Sequence, residues 1–166
     1  MKIAIISDTH DNLATLDKFL AYIKQNPVDL IIHCGDIADG ITLERIVKNF
    51  GGKILVVFGN MDYQETVEKA VKKFPGRIEL SKNFGKARLG GLKIGFCHHK
   101  ENALQYCQSQ EFDYMFYGHT HKPWLETVNG CQLANPGTLA GMFYQATFAL
   151  LDTETKKLEL KILQRL

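Results

Sequence analysis

Seven side chains scattered along this chain have the chemistry of a two-metal ligand set. They are Asp8 and His10 in S-D-T-H, Asp36 in H-C-G-D, Asn60 in G-N-M-D, His98 in F-C-H-H, and His119 with His121 in G-H-T-H. Carboxylate, imidazole and amide oxygen suit borderline-to-hard cations such as manganese, iron or zinc. Two cations about 3.5–4 Å apart clamp the attacking and leaving oxygens of a phosphoryl displacement and lower the pKa of a bound water. The chemistry implied is phosphoester hydrolysis. A carboxylate between the cations would screen their repulsion, and Asp36 is the natural candidate. Each motif alone has a plainer explanation. Asp8 and His10 suit a turn or helix start, Gly35-Asp36 suits a turn, Asn60 suits a cap, and His119 with His121 suits an exposed loop. Their joint occurrence is what points to metal.

The elements that must position these residues are readable from hydrophobic period and punctuation. Lys2–Ser7, Val28–Cys34 and Lys53–Phe58 read as strands, the second a near-continuous apolar run of the kind covered on both faces. Leu13, Leu16, Leu20 and Ile23 follow helical spacing behind Asn12, a plausible N-cap. Thr42–Phe50, Gln64–Lys73 and Glu101–Gln110 read as further helices. Strands are expected at Arg77–Leu80, Lys86–Leu89, Leu92–Cys97 and Asp113–Tyr117. Trp124–Val128 and Cys131–Ala134 flank Asn129-Gly130, the best hairpin signal in the chain. Ala146–Leu151 and Lys157–Leu163 make a closing hairpin. The expectation is one α/β domain over residues 1–166, two packed sheets with helices outside. Asp8, Asp36, Asn60, His98 and His119 then all follow strands, and ligands of open α/β sheets bind outside the carboxyl ends of strands. Gly35, Gly59 and Gly118 precede Asp36, Asn60 and His119, where a sharp turn or close backbone approach is expected. Asp8/His10 and His119/His121 are i, i+2 pairs that would project to one side if extended.

Composition bounds the alternatives. The chain has 166 residues, is 45% hydrophobic and carries a formal charge of +2. It has no long basic run, which weighs against a nucleic-acid or acidic-membrane partner. No stretch reaches the roughly 18 apolar residues of a membrane span, and the short run before Asp8 reads as a buried strand rather than a signal peptide. Cys34, Cys97, Cys107 and Cys131 form no C-x-x-C pair. They are expected to be small buried apolar residues without disulfides, in a reducing cytoplasm. His33 reads as buried or as a support for the site. His99 either points into the pocket beside His98 or faces outward.

Taken together, D-x-H, G-D, G-N-x-D, a lone strand-end histidine and G-H-T-H resemble the calcineurin-like metallophosphoesterase superfamily, most closely its small single-domain prokaryotic phosphodiesterases. Asn135-Pro136-Gly137-Thr138 is similar to the N-P-G-[ST] segment of that branch. The resemblance runs from Met1 to about Leu151. It implies a four-layer α-β-β-α sandwich of two mixed sheets with the site at one sheet edge. It also implies that Asp8, His10, Asp36 and His121 hold one divalent metal, and Asp36, Asn60, His98 and His119 a second. A metal-bridging hydroxide would attack phosphorus in line. Manganese is the first expectation for the metals, with iron, zinc or nickel as alternatives.

Three positions depart from the pattern. Met61 stands where many members carry a histidine that acts on the leaving group, and a thioether transfers no protons. His99 stands where glycine usually follows the metal-binding histidine; it is a candidate replacement acid and, with Asn60, a candidate substrate contact. No arginine follows Asn135-Pro136-Gly137-Thr138, although Lys100 and Lys122 flank ligand loops. The expected catalytic residues are therefore Asp36, Asn60, His119 and His99, acting on a small phosphoester. The alternative is an interaction scaffold like the retromer-coat subunit that shares this fold, and an exposed patch around Phe143 and Tyr144 would favour it. A nuclease is disfavoured by the near-neutral charge. Exposed strand edges are compatible with a homo-oligomer.

Overall fold

The β-branched run at the N-terminus forms β1 (Lys2–Ile6), buried at every position after Lys2. Its alternation decides the layering. Ile3 and Ile5 pack with Leu92, Ile94 and Phe116, whereas Ala4 and Ile6 pack with Leu16, Phe19 and Leu20. One face of the strand thus meets a second sheet and the other meets helices. A computed structural model of the protein describes residues 1–166.

In chain order the remaining elements are α1 (Leu13–Gln25), β2 (Leu30–His33), α2 (Gly40–Asn49), β3 (Lys53–Val57), α3 (Gln64–Lys73), β4 (Ile78–Ser81), β5 (Phe84–Leu89), β6 (Leu92–Cys97), α4 (Lys100–Gln108), β7 (Tyr114–Phe116), β8 (Trp124–Val128), β9 (Cys131–Asn135), β10 (Thr147–Asp152) and β11 (Lys157–Ile162), with a closing 3-10 turn at Leu163–Arg165. The first sheet has the order β11-β10-β1-β2-β3-β4 and the second β5-β6-β7-β9-β8. Strands β1 to β4 run parallel, with Ile5 beside Ile32 and Ile32 beside Leu55. Strands β6, β7 and β9 also run parallel, with Phe96 beside Phe116 and Phe116 beside Ala134. Antiparallel strands complete both sheets.

Three apolar clusters make the four layers. Helices α1 to α3 cover the first sheet, the two sheets share Ile3, Ile5, Phe96 and Phe116, and α4 covers the second sheet through Ala103, Cys107 and Met115. This is the expected α-β-β-α sandwich. Asn12 caps α1 by accepting a hydrogen bond from the Thr15 amide. Helix α2 begins two residues before the expected start because Asp39 accepts from the Ile41 amide. Helix α4 ends at Gln108, and Gln110 takes the left-handed conformation (φ 60°) that stops it from continuing.

The cysteine expectation requires correction. Cys107 on α4 and Cys131 on β9 form a disulfide with their Cα atoms 5.4 Å apart, while Cys34 and Cys97 are free and buried. The pair lies 24 residues apart in sequence and meets only because α4 crosses β9. No helix is long and apolar enough to cross a membrane.

The support behind β10 makes the fold testable. Phe148 is fully buried and meets the rings of Phe19 at 5.0 Å and Tyr22 at 5.4 Å, edge to face. Phe148→Ala should lower the unfolding free energy by about 3–5 kcal/mol in a denaturant titration, from lost burial and the cavity left behind. A loss under about 1 kcal/mol would show that this cluster does not hold β10 against α1.

Candidate metal centre

The parallel strands of the two sheets deliver their carboxyl ends to one edge of the sandwich. Asp8 and His10 follow β1, Asp36 follows β2, Asn60 follows β3, His98 follows β6, and His119 with His121 follow β7. All seven sequence candidates meet there. One cluster contains donor atoms of Asp8, His10, Asp36 and His121 within 4.8 Å of one another, and a second contains those of Asp36, His98 and His119. Asp36 belongs to both. Its Oδ2 lies 3.3 Å from His98 Nε2 and 3.7 Å from His10 Nε2. Asn60 Oδ1 lies 3.0 Å from His98 Nε2 and 2.8 Å from His119 Nδ1, so the amide joins the second cluster. His121 Nε2 sits 3.4 Å from Asp8 Oδ1 and 3.2 Å from His10 Nε2.

The donor set fits divalent cations. Imidazole nitrogens and carboxylate oxygens converge on shared points, and the His10 and His121 Nε2 atoms lie 3.2 Å apart, close enough to share a hydrogen bond or to ligate one cation. His98 Nδ1 donates to the Cys34 carbonyl at 2.8 Å, the outer contact that orients a ligating imidazole and leaves Nε2 free as the ligand atom. Asp8, Asp36 and His98 are buried, whereas Asn60 and His119 are exposed, so the centre opens to solvent on that side.

Charge pairing supports the arrangement. Burial opposes a charged imidazole at His98, but the facing Asp36 carboxylate outweighs it and holds the ring's pKa above the ordinary value. Asp8 raises His121 in the same way. Burial pushes Asp36 up, yet His98 and the Met61 amide bring it below the usual carboxylate range.

The i, i+2 geometry works differently from expectation. Asp8, His10, Asp36, His119 and His121 all have positive φ, between 41° and 66°. These loops are not extended. Each residue sits in the left-handed region, which non-glycine residues adopt at a cost and which concentrates at functional sites. The local fold must therefore over-determine them. The segment after β9 does this: Thr138 Oγ1 donates to the Asp8 carbonyl at 2.9 Å, Ala140 N to the same carbonyl at 3.0 Å, and Leu139 N to the Ser7 carbonyl at 2.9 Å. Asn135 Nδ2 donates to the Gly118 carbonyl and to Thr120 Oγ1, at 2.8 and 3.0 Å.

The glycines serve mainly close approach. A Cβ on Gly59 would lie 2.1 Å from Asp36 Oδ1, and one on Gly118 would lie 2.0 Å from Ser7 Oγ and 2.8 Å from Asp8 Oδ2. Asp62, present in G-N-M-D but given no role by the sequence, accepts from the Ala38 amide at 2.8 Å and the Gly59 amide at 2.7 Å. It ties the Asp36 loop to the Asn60 loop. His33 is fully buried; its Nδ1 accepts from the Gly35 amide and its Nε2 faces Thr9 Oγ1. Burial pushes it down to about 3, so it is a neutral brace beneath the loops. His99 turns toward the centre, its ring 4.5 Å from that of His119 and 5.0 Å from that of His98. Met61 is 57% exposed and sends only its amide, at 2.8 Å, to Asp36 Oδ1.

This sandwich, with its cluster at the carboxyl ends of β1, β2, β3, β6 and β7, defines a class. The chain belongs to the calcineurin-like phosphoesterase superfamily, whose domain model matches residues 1–156. That match, together with the chain's phosphodiesterase relatives, makes it a metal-dependent phosphoester hydrolase. Phosphodiesterase MJ0936 of Methanocaldococcus jannaschii is 31% identical over 160 residues, 95% of this chain and 96% of that protein. The solved structure of an archaeal phosphodiesterase superposes with a TM-score of 0.89 at 28% identity, covering 98% of this chain and 99% of the other. Zinc-bound Vps29 of Entamoeba histolytica shares the fold, with a TM-score of 0.69 at 19% identity over 98% of this chain and 99% of its own.

The close approaches yield a test. Gly118→Ala should reduce bound divalent metal by at least about tenfold in affinity, because displacing Asp8 disturbs a donor whose support counts nearly as much as the ligand itself. The measurement is metal content after dialysis against a fixed free-metal concentration. Retention equal to the wild type would show that Asp8 does not need this contact.

Proposed function

We propose that this chain hydrolyses phosphodiesters at a dinuclear metal centre, with Asp36 common to both metals. The observation that carries the proposal is the membership of Asp36 in two donor clusters at once. Asp8, His10 and His121 would complete one metal's set, and Asn60, His98 and His119 the other's. Bound there, two divalent cations would supply Lewis acidity and a water acidified enough to act near neutral pH. Manganese is the first choice, with iron, zinc and nickel able to use the same donors.

The chain's own contribution is to orient and to manage protons. Asn60 and His119 stand on the open side, where a phosphoryl oxygen would arrive. Met61 cannot protonate a leaving group, and His99 is the titratable side chain facing the same opening. Burial, together with His98 and His119, lowers its pKa, which makes the protonated ring a stronger acid but a scarcer one near neutral pH. Its assigned role is to act as acid toward poor leaving groups.

Metal-loaded protein should cleave bis(p-nitrophenyl) phosphate, and a chelator should stop it. Asp36→Ala should lower kcat by at least about a thousandfold, because several kcal/mol of charge stabilisation are lost. Turnover that survives both chelation and this substitution would defeat the proposal. His99→Ala should lower kcat by about a hundredfold on alkyl phosphodiesters and much less on p-nitrophenyl esters, whose leaving group departs without a proton. Equal losses on both would remove His99 from the acid role.

A second function, an interaction scaffold, is favoured by one observation. Met142, Phe143 and Tyr144 are 44%, 87% and 46% exposed at the rim, with the Phe143 ring 5.7 Å from His121. Stoichiometric metal binding with no turnover of any phosphoester, under each candidate metal, would favour that function over hydrolysis.

A further inference from the structure

Beside the candidate centre lies a cavity of about 330 Å³ lined by Lys100, Tyr117, Thr120, Lys122, Trp124 and Tyr144. Thr120 stands between His119 and His121, Lys122 follows His121, and Lys100 follows His99, so the cavity opens next to the metal-binding loops. Every polar side chain lining it is a donor or can act as one. Tyr117 is 1% exposed as a residue, and its hydroxyl, which makes no hydrogen bond within the chain, reaches the cavity rather than being sealed in the core. A hydroxyl that reaches the cavity and has no partner in the chain is free to donate to a ligand there. Thr120 Oγ1 already accepts from Asn135 Nδ2 at 3.0 Å, so its own proton is free to point into the cavity.

The cations are held there. Lys100 Nζ and Lys122 Nζ lie 5.6 and 5.7 Å from the centroid of the Trp124 ring, as cations over an aromatic ring do. Glu126 pairs with Lys100 at 3.2 Å. Lys122 makes no ion pair and is the uncompensated charge of the cavity. Glu101, on the same helix as Lys100, is exposed and does not line it.

We infer that this cavity binds a second anionic group of the substrate, a phosphate carried on the ester chain away from the scissile phosphodiester. The lining offers a phenol, a hydroxyl and an ammonium as donors beside uncompensated positive charge, and a phosphate monoester accepts from all of these while carrying negative charge. This inference rests on the phosphodiesterase proposal for its catalytic meaning, but the binding step is separable from it.

Two substrates test it on the metal-loaded protein: the p-nitrophenyl ester of thymidine 5′-phosphate, and the same ester carrying a 3′-phosphate. They share the leaving group and the scissile bond. The wild type should prefer the second by roughly tenfold in kcat/KM, mostly through KM, as charge-assisted hydrogen bonds are gained. Lys122→Ala should bring that ratio close to one. Glu126→Gln should raise it, because Lys100 is released to the phosphate, and a merely structural role for these residues would not produce a gain. Trp124 is the single tryptophan, so its fluorescence reports the cavity directly. In chelator-treated protein, inorganic phosphate should change it saturably, with a higher midpoint in Lys122→Ala. A wild-type ratio near one, unmoved by Glu126→Gln, overturns the inference. If neither ester is cleaved, the phosphodiesterase proposal is what fails, and the fluorescence titration still decides the cavity: no saturable change overturns it.

Discussion

Asp36 faces histidines from both sheets, and the site depends on that contact. Its carboxylate reaches His10 at the end of β1 in its own sheet and His98 at the end of β6 in the other. The contact therefore spans the seam of the sandwich. Such a seam is ordinarily apolar, and here it is so up to the last residues, where Ile32 and Phe96 give way to Asp36 and His98. A buried carboxylate needs compensation, and imidazoles from the facing sheet provide it without a permanent charge of their own. Metal cations would do so more completely.

The loops around it carry conformational cost. Five candidate ligands occupy the left-handed region, and no glycine substitutes at those positions because side-chain donors are required there. The compensation is a set of hydrogen bonds from outside the loops. Asn135, Thr138 and Ala140 brace the Asp8 and His119 segments, Asp62 joins the loops after β2 and β3, and His33 supports Gly35 from below. Such residues touch no metal or substrate, yet each holds a donor atom where the cluster needs it. The tolerance is small, as the positions of Gly59 and Gly118 indicate, since neither has room for a methyl group.

The open side of the centre has its own character. Met61 contributes a backbone amide and an exposed thioether, so proton transfer falls to other groups. His99 turns inward next to His119, and Lys100 begins α4 directly after it. One short segment thus carries a candidate ligand, a candidate acid and a cation in three successive residues. Phe143 leans toward His121, and Tyr144 lines the same neighbouring cavity as Lys100 and Lys122. The mouth therefore carries cations and aromatic rings side by side, a combination suited to an anionic substrate with an organic substituent.

Much of this was legible in the chain itself. Hydrophobic period and punctuation located the helices and strands within one to three residues at most ends, because burial on one face or both leaves a local trace. The position of Asp8, Asp36, Asn60, His98 and His119 just past strands was equally local. Tertiary structure alone decided the rest. Which strand ends become neighbours is a matter of sheet order, and β9 inserts between β7 and β8 in a way that no short-range pattern encodes. That insertion places Asn135 and Thr138 under the site and sets Cys131 against Cys107. The left-handed turns, the inward rotation of His99, the bracing by Asp62 and the pairing of Lys100 with Glu126 have the same origin. A residue's type is a property of one position, whereas its partner, its φ and its direction are set by chain that packs against it from dozens of residues away.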